Sequence, residues 1–423
     1  MNVLLTEILA AREARAARQQ ALLRKYRCPV VSFTMNIAGP VKTSPLIRRA
    51  FDAGFHDLEA ALKDCILSRE IIHATTGDEA ILSVDMDAGE LKSICTAIEE
   101  ATPMGRLFDM DVLDLHGNKL SRPSERCCLI CGAPGRGCAS RRLHTVAELQ
   151  EATRDLIIPH LIAGAAVEAL IDEVRTTPKP GLVDLRNNGS HTDMDVPLFL
   201  ASAEALRPYF NRCAVIGRKN AAPFPHLREA GIEAEKAMYA ATKGVNTHKG
   251  AIYTLGILCA AVGRLWLTEN DSPKIEAILP LCAVIAGDAA RQDLQQSNAD
   301  TAGLRLYRKY GIPGIRGEMA AGLPSVQNIA LPVFRTALSK GMSRNDAGTL
   351  ALLHLIANVK DTNLYHRGGP GGAAYAADAA RDLLPSPTLQ QIEALDDAFI
   401  ERCLSPGGCA DLLAATYFLD TIL

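Results

Sequence analysis

Aromatic residues are scarce in this chain: they make up 5% of its 423 residues, with a single tryptophan at Trp266. Cores built mainly on stacked rings are thereby excluded, and packing must rest on aliphatic side chains. A surplus of one charge is missing too, since 45 Lys and Arg stand against 48 Asp and Glu. No global field draws such a chain onto nucleic acid or a membrane surface. Apolar runs stay short of the roughly 20 residues that span a bilayer. Internal repeats and low-complexity tracts are missing. The opening "MNVLLTEILAAREARAARQQ" lacks a signal peptide's apolar core and reads as an amphipathic helix. Val3, Leu4, Ile8 and Leu9 form its apolar face, and Glu7 and Glu13 argue against a transit peptide. The expected compartment is the cytoplasm, where the twelve cysteines are thiols or ligands, not a disulfide framework.

What is present favours helices. Apolar residues make up 48% of the chain, alanine and leucine are abundant, and the length suits two domains. Up to about residue 150 the periods are mixed. "CPVVSFTMNI" (28–37), "AILSVDMD" (80–87) and "GRLFDMDVLDLHG" (105–117) read as strands, and "AGELKSICTAIEEA" (88–101) reads as a helix. Beyond residue 150 the strand signal stops and seven or more helical segments follow, beginning with "DLIIPHLIAGAAVEALIDEVRTT". The expectation is an α+β domain over 1–150 and a larger all-α helical bundle over 151–423. The seam is expected in "LHTVAELQEATRD", with no apolar helix crossing it.

Four polar junctions punctuate the helical part. "PKPGLVDLRNNGSHTDMD" (178–195) holds Lys179 between prolines, then Gly181, Asp184, His191, Asp193 and Asp195. "TKGVNTHKG" (242–250) carries Asn246, His248, Lys249 and Gly250 into an apolar helix, whose start favours an anion. "YGIPGIRGEMAAGLPS" (310–325) sets Arg316 and Glu318 among glycines. "DTNLYHRGGPGG" (361–372) carries Asp361, Asn363, Arg367 and Gly368. Each alone is an ordinary loop, and Asp361 or Asp184 is equally a helix cap. Together the junctions repeat one inventory. Gathered at one end of a bundle, they supply carboxylates for Mg²⁺, cations for a triphosphate and bare backbone for close approach.

In this order, "PKPGLVD", "GSHTDMD", "GVNTHKGAIY", "YGIPGIRGE" and "DTNLYHRGG" resemble triphosphoribosyl-dephospho-CoA synthase. The resemblance implies a reaction between ATP and 3′-dephospho-CoA that forms a ribosyl link and releases adenine. The transition state is oxocarbenium-like, so a nearby carboxylate helps, as do a base for the attacking hydroxyl and an acid for adenine. On that reaction, Asp193 and Asp195 are expected to hold metal or stabilise the oxocarbenium ion. Lys179, Lys249 and Arg316 are expected on phosphates, with Gly181, Asn246, Gly250, Asp361, Asn363, Arg367 and Gly368 around the nucleotide. Asp184, His191, His248 and Glu318 remain the acid–base candidates.

The first part holds three further stretches. "MNIAGPVKTSP" (35–45) offers Lys42 and Ser44 either as a phosphate cradle or as a capped helix start. In "GRLFDMDVLD", Asp109 and Asp111 alternate on a strand, share one face and lie near Arg106. Such a pair suits Mg²⁺ against a pyrophosphate leaving group, or else it is a solvated strand face. "RCCLICGAPGRGCASRRLH" (126–144) contains Cys128, Cys131, Cys138 and His144. These could ligate zinc, but the second pair is irregular for a finger or ribbon, and buried thiols beside a basic loop are the preferred reading.

These stretches resemble the citrate lyase holo-acyl-carrier-protein synthase, an apo-citrate lyase phosphoribosyl-dephospho-CoA transferase. Ala38 stands where a proline is expected. That family moves phosphoribosyl-dephospho-CoA to a carrier-protein serine and releases pyrophosphate. The metal role of Asp109 and Asp111 follows from the reaction and not from the likeness. The product of the second part would then be the substrate of the first. The chain is expected to be a bifunctional transferase that makes a cofactor and installs it on the apo-citrate lyase acyl carrier protein. The same chemistry for malonate decarboxylase, and a non-catalytic carrier-protein assembly factor, are the competing readings.

Overall fold

A computed structural model describes residues 3–122, 125–268, 273–295 and 302–423, with side chains withheld at 136, 139, 288–295 and 302. The chain divides into two compact units. One comprises residues up to Leu161, and the other comprises almost everything from Ile162 onward.

The first unit is α+β. After helix α1 (Leu5–Tyr26) come β1 (Val30–Met35), α2 (Pro45–Leu62), β2 (Ile66–Ile72), β3 (Glu79–Val84), α3 (Ala88–Ala101) and β4 (Phe108–Leu113). The four strands form one antiparallel sheet in the order β2-β3-β1-β4. Side chains alternate across a sheet, so pairing Phe33 with Met110 and Ser32 with Asp111 fixes two faces. On one face Phe33 stacks on Phe51 of α2 at 4.9 Å and meets Phe108 edge-on at 5.3 Å. Gly54 is required there, because a Cβ would lie 2.6 Å from the Phe108 ring. On the other face Leu23 of α1 packs with Val30, Ile81 and Leu113. That face also carries Asp109 and Asp111.

The sequence reading missed β2, an edge strand whose side chains are mostly exposed or half-buried. The expected apolar face of α1 is only partly realised: Val3 is buried and Ile8 half-buried, but Leu4 and Leu9 are exposed, and Leu23 near the far end of the helix is buried.

Helix α4 (Gly135–Arg141) is followed by α5 (Val146–Arg175), which runs through the division between the units. The expected seam therefore lies inside a continuous helix. Leucine, alanine and glutamate sustain helical propensity across it, and Pro159 does not stop it.

Among its described residues the second unit has helices joined by turns and no strand. It contains α6 (Val196–Ala205), α7 (Arg207–Lys219), α8 (Phe224–Ala241), α9 (Lys249–Leu265), α10 (Ile275–Gln295) and α11 (Ala302–Tyr310). These are followed by α12 (Gly314–Ala320), α13 (Leu331–Ser339), α14 (Arg344–Asn358), α15 (Thr362–Leu383), α16 (Leu389–Glu401) and α17 (Gly407–Ile422). Helix α9 is the axis, buried along nearly its whole length. Small residues bring α7 against it: a Cβ on Gly263 would meet the Ala214 carbonyl oxygen at 2.5 Å. No described helix is long and apolar enough to cross a membrane.

Candidate active sites

The junctions of the helical unit converge. Lys179 and His191, Asn246 to Gly250, Ile312 to Glu318, and residues between Asn358 and Arg367 line one cavity of about 1090 Å³. The starts of α9 and α12 and the α14–α15 junction all open on it. The fourth junction is not a loop, since α15 runs through "TNLYHRGG" and departs from helical geometry only at Gly369, with φ of 61°.

Not every predicted residue reaches the cavity. Asp184 is 3% exposed and lies outside the lining. Its carboxylate accepts the backbone N–H groups of Lys179, Arg186 and Asn187, which holds the turn together. Gly181 adopts φ of 69°, and its N–H donates to the buried Asp396 carboxylate. Asp193 and Asp195 are exposed and outside the lining. Asp195 caps α6 by accepting the Leu198 N–H at 2.9 Å. The expected metal pair of the helical part therefore lies off the cavity, because a capping aspartate must face its own helix start. Gly368 also lies outside the lining and packs against Leu404.

Asp361 does line the cavity, but its oxygens are engaged. They accept the N–H groups of Asn363, Leu364 and Cys409, so one carboxylate joins the starts of α15 and α17. Asn363 packs against Gly407. Arg367 donates to the Ser190 carbonyl and pairs with His191, whose other ring nitrogen meets Ser405 at 3.0 Å. Burial, and then Arg367, lower the His191 pKa. Lys249 pairs with Glu235 at 2.7 Å, and its own N–H meets the Asn246 side chain. Glu318 accepts both the N–H and the hydroxyl of Ser325. Arg316 lies over the Tyr253 ring, 6.0 Å from its centre.

Two lining carboxylates went unread because they sit inside apolar helices. Glu173 on α5 is 5% exposed and accepts from Lys179, whose ammonium is itself fully buried. Asp411 on α17 opens on the cavity and is otherwise enclosed by protein. Burial, then Glu173 and Asp361, push its carboxyl well above the usual carboxylate range. A Cβ at Gly250 would run into that carboxylate, which is why a glycine opens α9. The sequence signal available was an acid inside an otherwise apolar helical stretch, at Glu173 and at Asp411. His248 is 3% exposed, with Nδ1 2.7 Å from the Ser202 hydroxyl and a buried Nε2 that has no partner. Burial lowers its pKa to about 3, so the ring is neutral at physiological pH.

The sheet unit has its own cavity, of about 1790 Å³. Asp109 and Asp111 line it from one face of β4, opposite Thr34 and Ser32. Arg106, Lys119, Arg122 and Arg126 bring positive charge. Lys119 meets Asp111 at 2.6 Å, Arg126 lies 3.9 Å from Asp109, and both Arg122 and Arg126 reach Glu99. Ser44 is the N-cap of α2, accepting the Ile47 N–H, and Lys42 donates to the Ile37 carbonyl. Neither lines the cavity, so "PVKTSP" is built as a capped helix start. Among the described residues, one group of three or more His, Cys, Asp or Glu gathers its ligand atoms within 4.8 Å. It is Cys128, Cys131, Cys138 and His144. The Arg136 side chain of the same loop lies outside the described residues.

Comparison with known proteins divides the chain in the same region. Residues 159–423 match the family model for ATP:dephospho-CoA triphosphoribosyl transferase, and residues 3–159 match that for apo-citrate lyase phosphoribosyl-dephospho-CoA transferase. Protein CitXG of Haemophilus influenzae is 36% identical, covering 99% of this chain and 96% of the relative. Protein CitXG of Leuconostoc mesenteroides subsp. cremoris is 33% identical, covering 99% and 97%. A probable 2-(5″-triphosphoribosyl)-3′-dephosphocoenzyme-A synthase of Vibrio cholerae is 44% identical over 66% of this chain and 93% of its own length.

Proposed function

The chain belongs to the ATP:dephospho-CoA triphosphoribosyl transferase family and, over its first part, to the apo-citrate lyase phosphoribosyl-dephospho-CoA transferase family; on that premise we propose that its two cavities divide the work. The enzyme makes the citrate lyase prosthetic group and attaches it. The helical unit would run ATP + 3′-dephospho-CoA to 2′-(5″-triphosphoribosyl)-3′-dephospho-CoA + adenine. The sheet unit would then transfer phosphoribosyl-dephospho-CoA to a serine of the apo-carrier protein, releasing pyrophosphate. Such substrates and free thiols suit the cytoplasm.

The observation that carries the first assignment is the convergence of four separated junctions, rich in Lys, Arg, Asn and Gly, on one cavity. In the reaction, a ribose hydroxyl of dephospho-CoA attacks C1′ of the ATP ribose. The C1′–N bond to adenine breaks, and adenine leaves with a proton. Asp411, whose carboxyl burial and then its acidic neighbours push well above the usual carboxylate range, is the acid that supplies that proton. Glu318, facing the cavity from α12, takes the hydroxyl proton. His248, neutral and with a free Nε2, hydrogen-bonds and orients a substrate. Lys249, Arg316 and Arg367 hold phosphates.

No preformed carboxylate cage for Mg²⁺ is found among the described residues. Mg²⁺ needs only one or two protein carboxylates when it arrives on a triphosphate. Asp109 with Asp111 in the second cavity fit that demand. The ion would neutralise phosphate charge there.

The test incubates the full chain with ATP and dephospho-CoA, measures free adenine, and then measures labelling of apo-carrier protein. Asp411→Asn should stop the first signal. Asp109→Asn with Asp111→Asn should stop only the second, when triphosphoribosyl-dephospho-CoA is supplied. Loss of both signals in either variant, with triphosphoribosyl-dephospho-CoA supplied for the labelling step, would sink the division of labour.

A further inference from the structure

Among its described residues, the stretch between Leu113 and the start of α5 is almost without an apolar core. The buried apolar side chains described there are Cys128 and Cys138. Of its large aliphatic residues, Leu115, Ile130 and Leu143 are exposed and Leu120 and Leu129 are half-buried. Segments this poor in burial do not hold a fixed shape unless something staples them. Yet the loop is regular. The Cys128 N–H donates to the Ala133 carbonyl at 2.7 Å, and the Gly132 N–H donates back to the Cys128 carbonyl at 3.2 Å. Cys127 and Pro134 pair as an antiparallel bridge, and Gly132 takes φ of 73° to close the turn. The Gly135 N–H then donates to Arg126 as α4 begins, presenting Cys138 toward the turn.

This tight C-x-x-C-G turn and its following helix bring four ligand atoms together. Those of Cys128, Cys131, Cys138 and His144 lie within 4.8 Å of one another, and the Cys131 and Cys138 sulfurs are 3.3 Å apart. Tetrahedral zinc with Zn–S near 2.3 Å sets ligand sulfurs about 3.8 Å apart, so the cluster needs only a small adjustment to close on an ion. A second observation points the same way: His144 Nε2 is buried and has no hydrogen-bond partner. The irregular spacing of the second ligand pair, an objection at the level of sequence, is absorbed by α4 and the bend after it.

We propose that Cys128, Cys131, Cys138 and His144 form a closed structural Zn²⁺ site that shapes the transferase cavity. Four protein ligands leave no open position, so the ion's role is to hold the loop rather than to activate water. The loop sets the cavity's cations. Arg106 donates to the Cys127 and Cys128 carbonyls, and Arg126 bridges Glu99 and Asp109. Zinc would therefore act on phosphate binding through these positioning contacts.

The full chain, purified without chelator from zinc-supplemented medium, should contain about one zinc per chain by elemental analysis. Cys131→Ser and His144→Ala should each lower that content sharply, whereas Cys65→Ser, a cysteine outside the cluster, should keep it. Adenine release should persist in all three, which shows that the helical unit is folded. Carrier labelling should fall with the zinc. The metal content is read independently of activity, so the site stands or fails apart from the proposed transferase reaction. Absence of zinc, iron in its place, a Cys131–Cys138 disulfide by mass, or full zinc retention in both ligand variants would overturn the proposal.

Discussion

Asp411→Asn separates chemistry from folding in the helical unit. The native carboxyl sits where burial and the carboxylates of Glu173 and Asp361 disfavour its charge. A carboxyl whose folded pKa is raised binds protons in the folded state that the unfolded chain has released. Its contribution to stability is full below the unfolded value near 4 and falls as pH climbs toward the folded pKa. Asparagine has the same shape, carries no charge and removes that penalty. Asp411→Asn should therefore unfold no earlier than the parent at pH 8, and its carbonyl can still accept the Ala251 N–H. Loss of a general acid costs about 10²–10⁴-fold in rate. At 1.36 kcal/mol per decade, that is roughly 3–5 kcal/mol of transition-state stabilisation. The assay is adenine released per unit time at saturating ATP and dephospho-CoA, paired with thermal unfolding. The alkaline limb of the rate profile should disappear with the carboxyl. A variant that keeps its melting temperature and its rate would refute the acid role. One that loses both would show that the carboxyl is structural. Gly250→Ala, whose methyl would displace the same carboxylate, should lose less than additively when combined with Asp411→Asn.

Asp184→Ala should destabilise the helical unit by about 2–3 kcal/mol, since one buried and two half-buried N–H groups lose one charged acceptor; denaturant melts followed by circular dichroism measure it. Asp193→Asn and Asp195→Asn should leave adenine release close to the parent rate, and a collapse in either would return these exposed residues to the site. His248→Gln should weaken catalysis without removing any rate transition near pH 6.5, because burial already keeps the native ring neutral there. A helical fragment beginning at residue 152 starts inside α5, so it should be less soluble and less active than one beginning at Thr145, as judged by sedimentation and adenine release.

The sequence by itself determined the two textures, the helical bundle and the four junctions from which the first cavity is lined. Period-2 alternation placed Asp109 and Asp111 on one strand face, because strand side chains alternate whatever the surrounding fold. Repeated Gly, Asn and cationic residues at four helix junctions marked the cavity, because close approach to phosphates needs those groups wherever the helices run. What each acid does was a different matter. Asp184, Asp195 and Asp361 have the composition of ligands, yet their oxygens are directed at nearby backbone N–H groups, a commitment fixed by turn and cap geometry. Asp411 and Glu173 looked like isolated acids in apolar helices. Only the packing of α17 against α9, with Gly250 clearing the space, turns Asp411 toward the cavity, and only the fold of the 178–195 turn sets Lys179 against Glu173 there. The seam was misread for a related reason. Local propensity lets α5 continue, and long-range contacts alone assign its two ends to different units. Pairwise distances across 16 residues likewise decided the cysteine cluster, which spacing could pose as a question but not close.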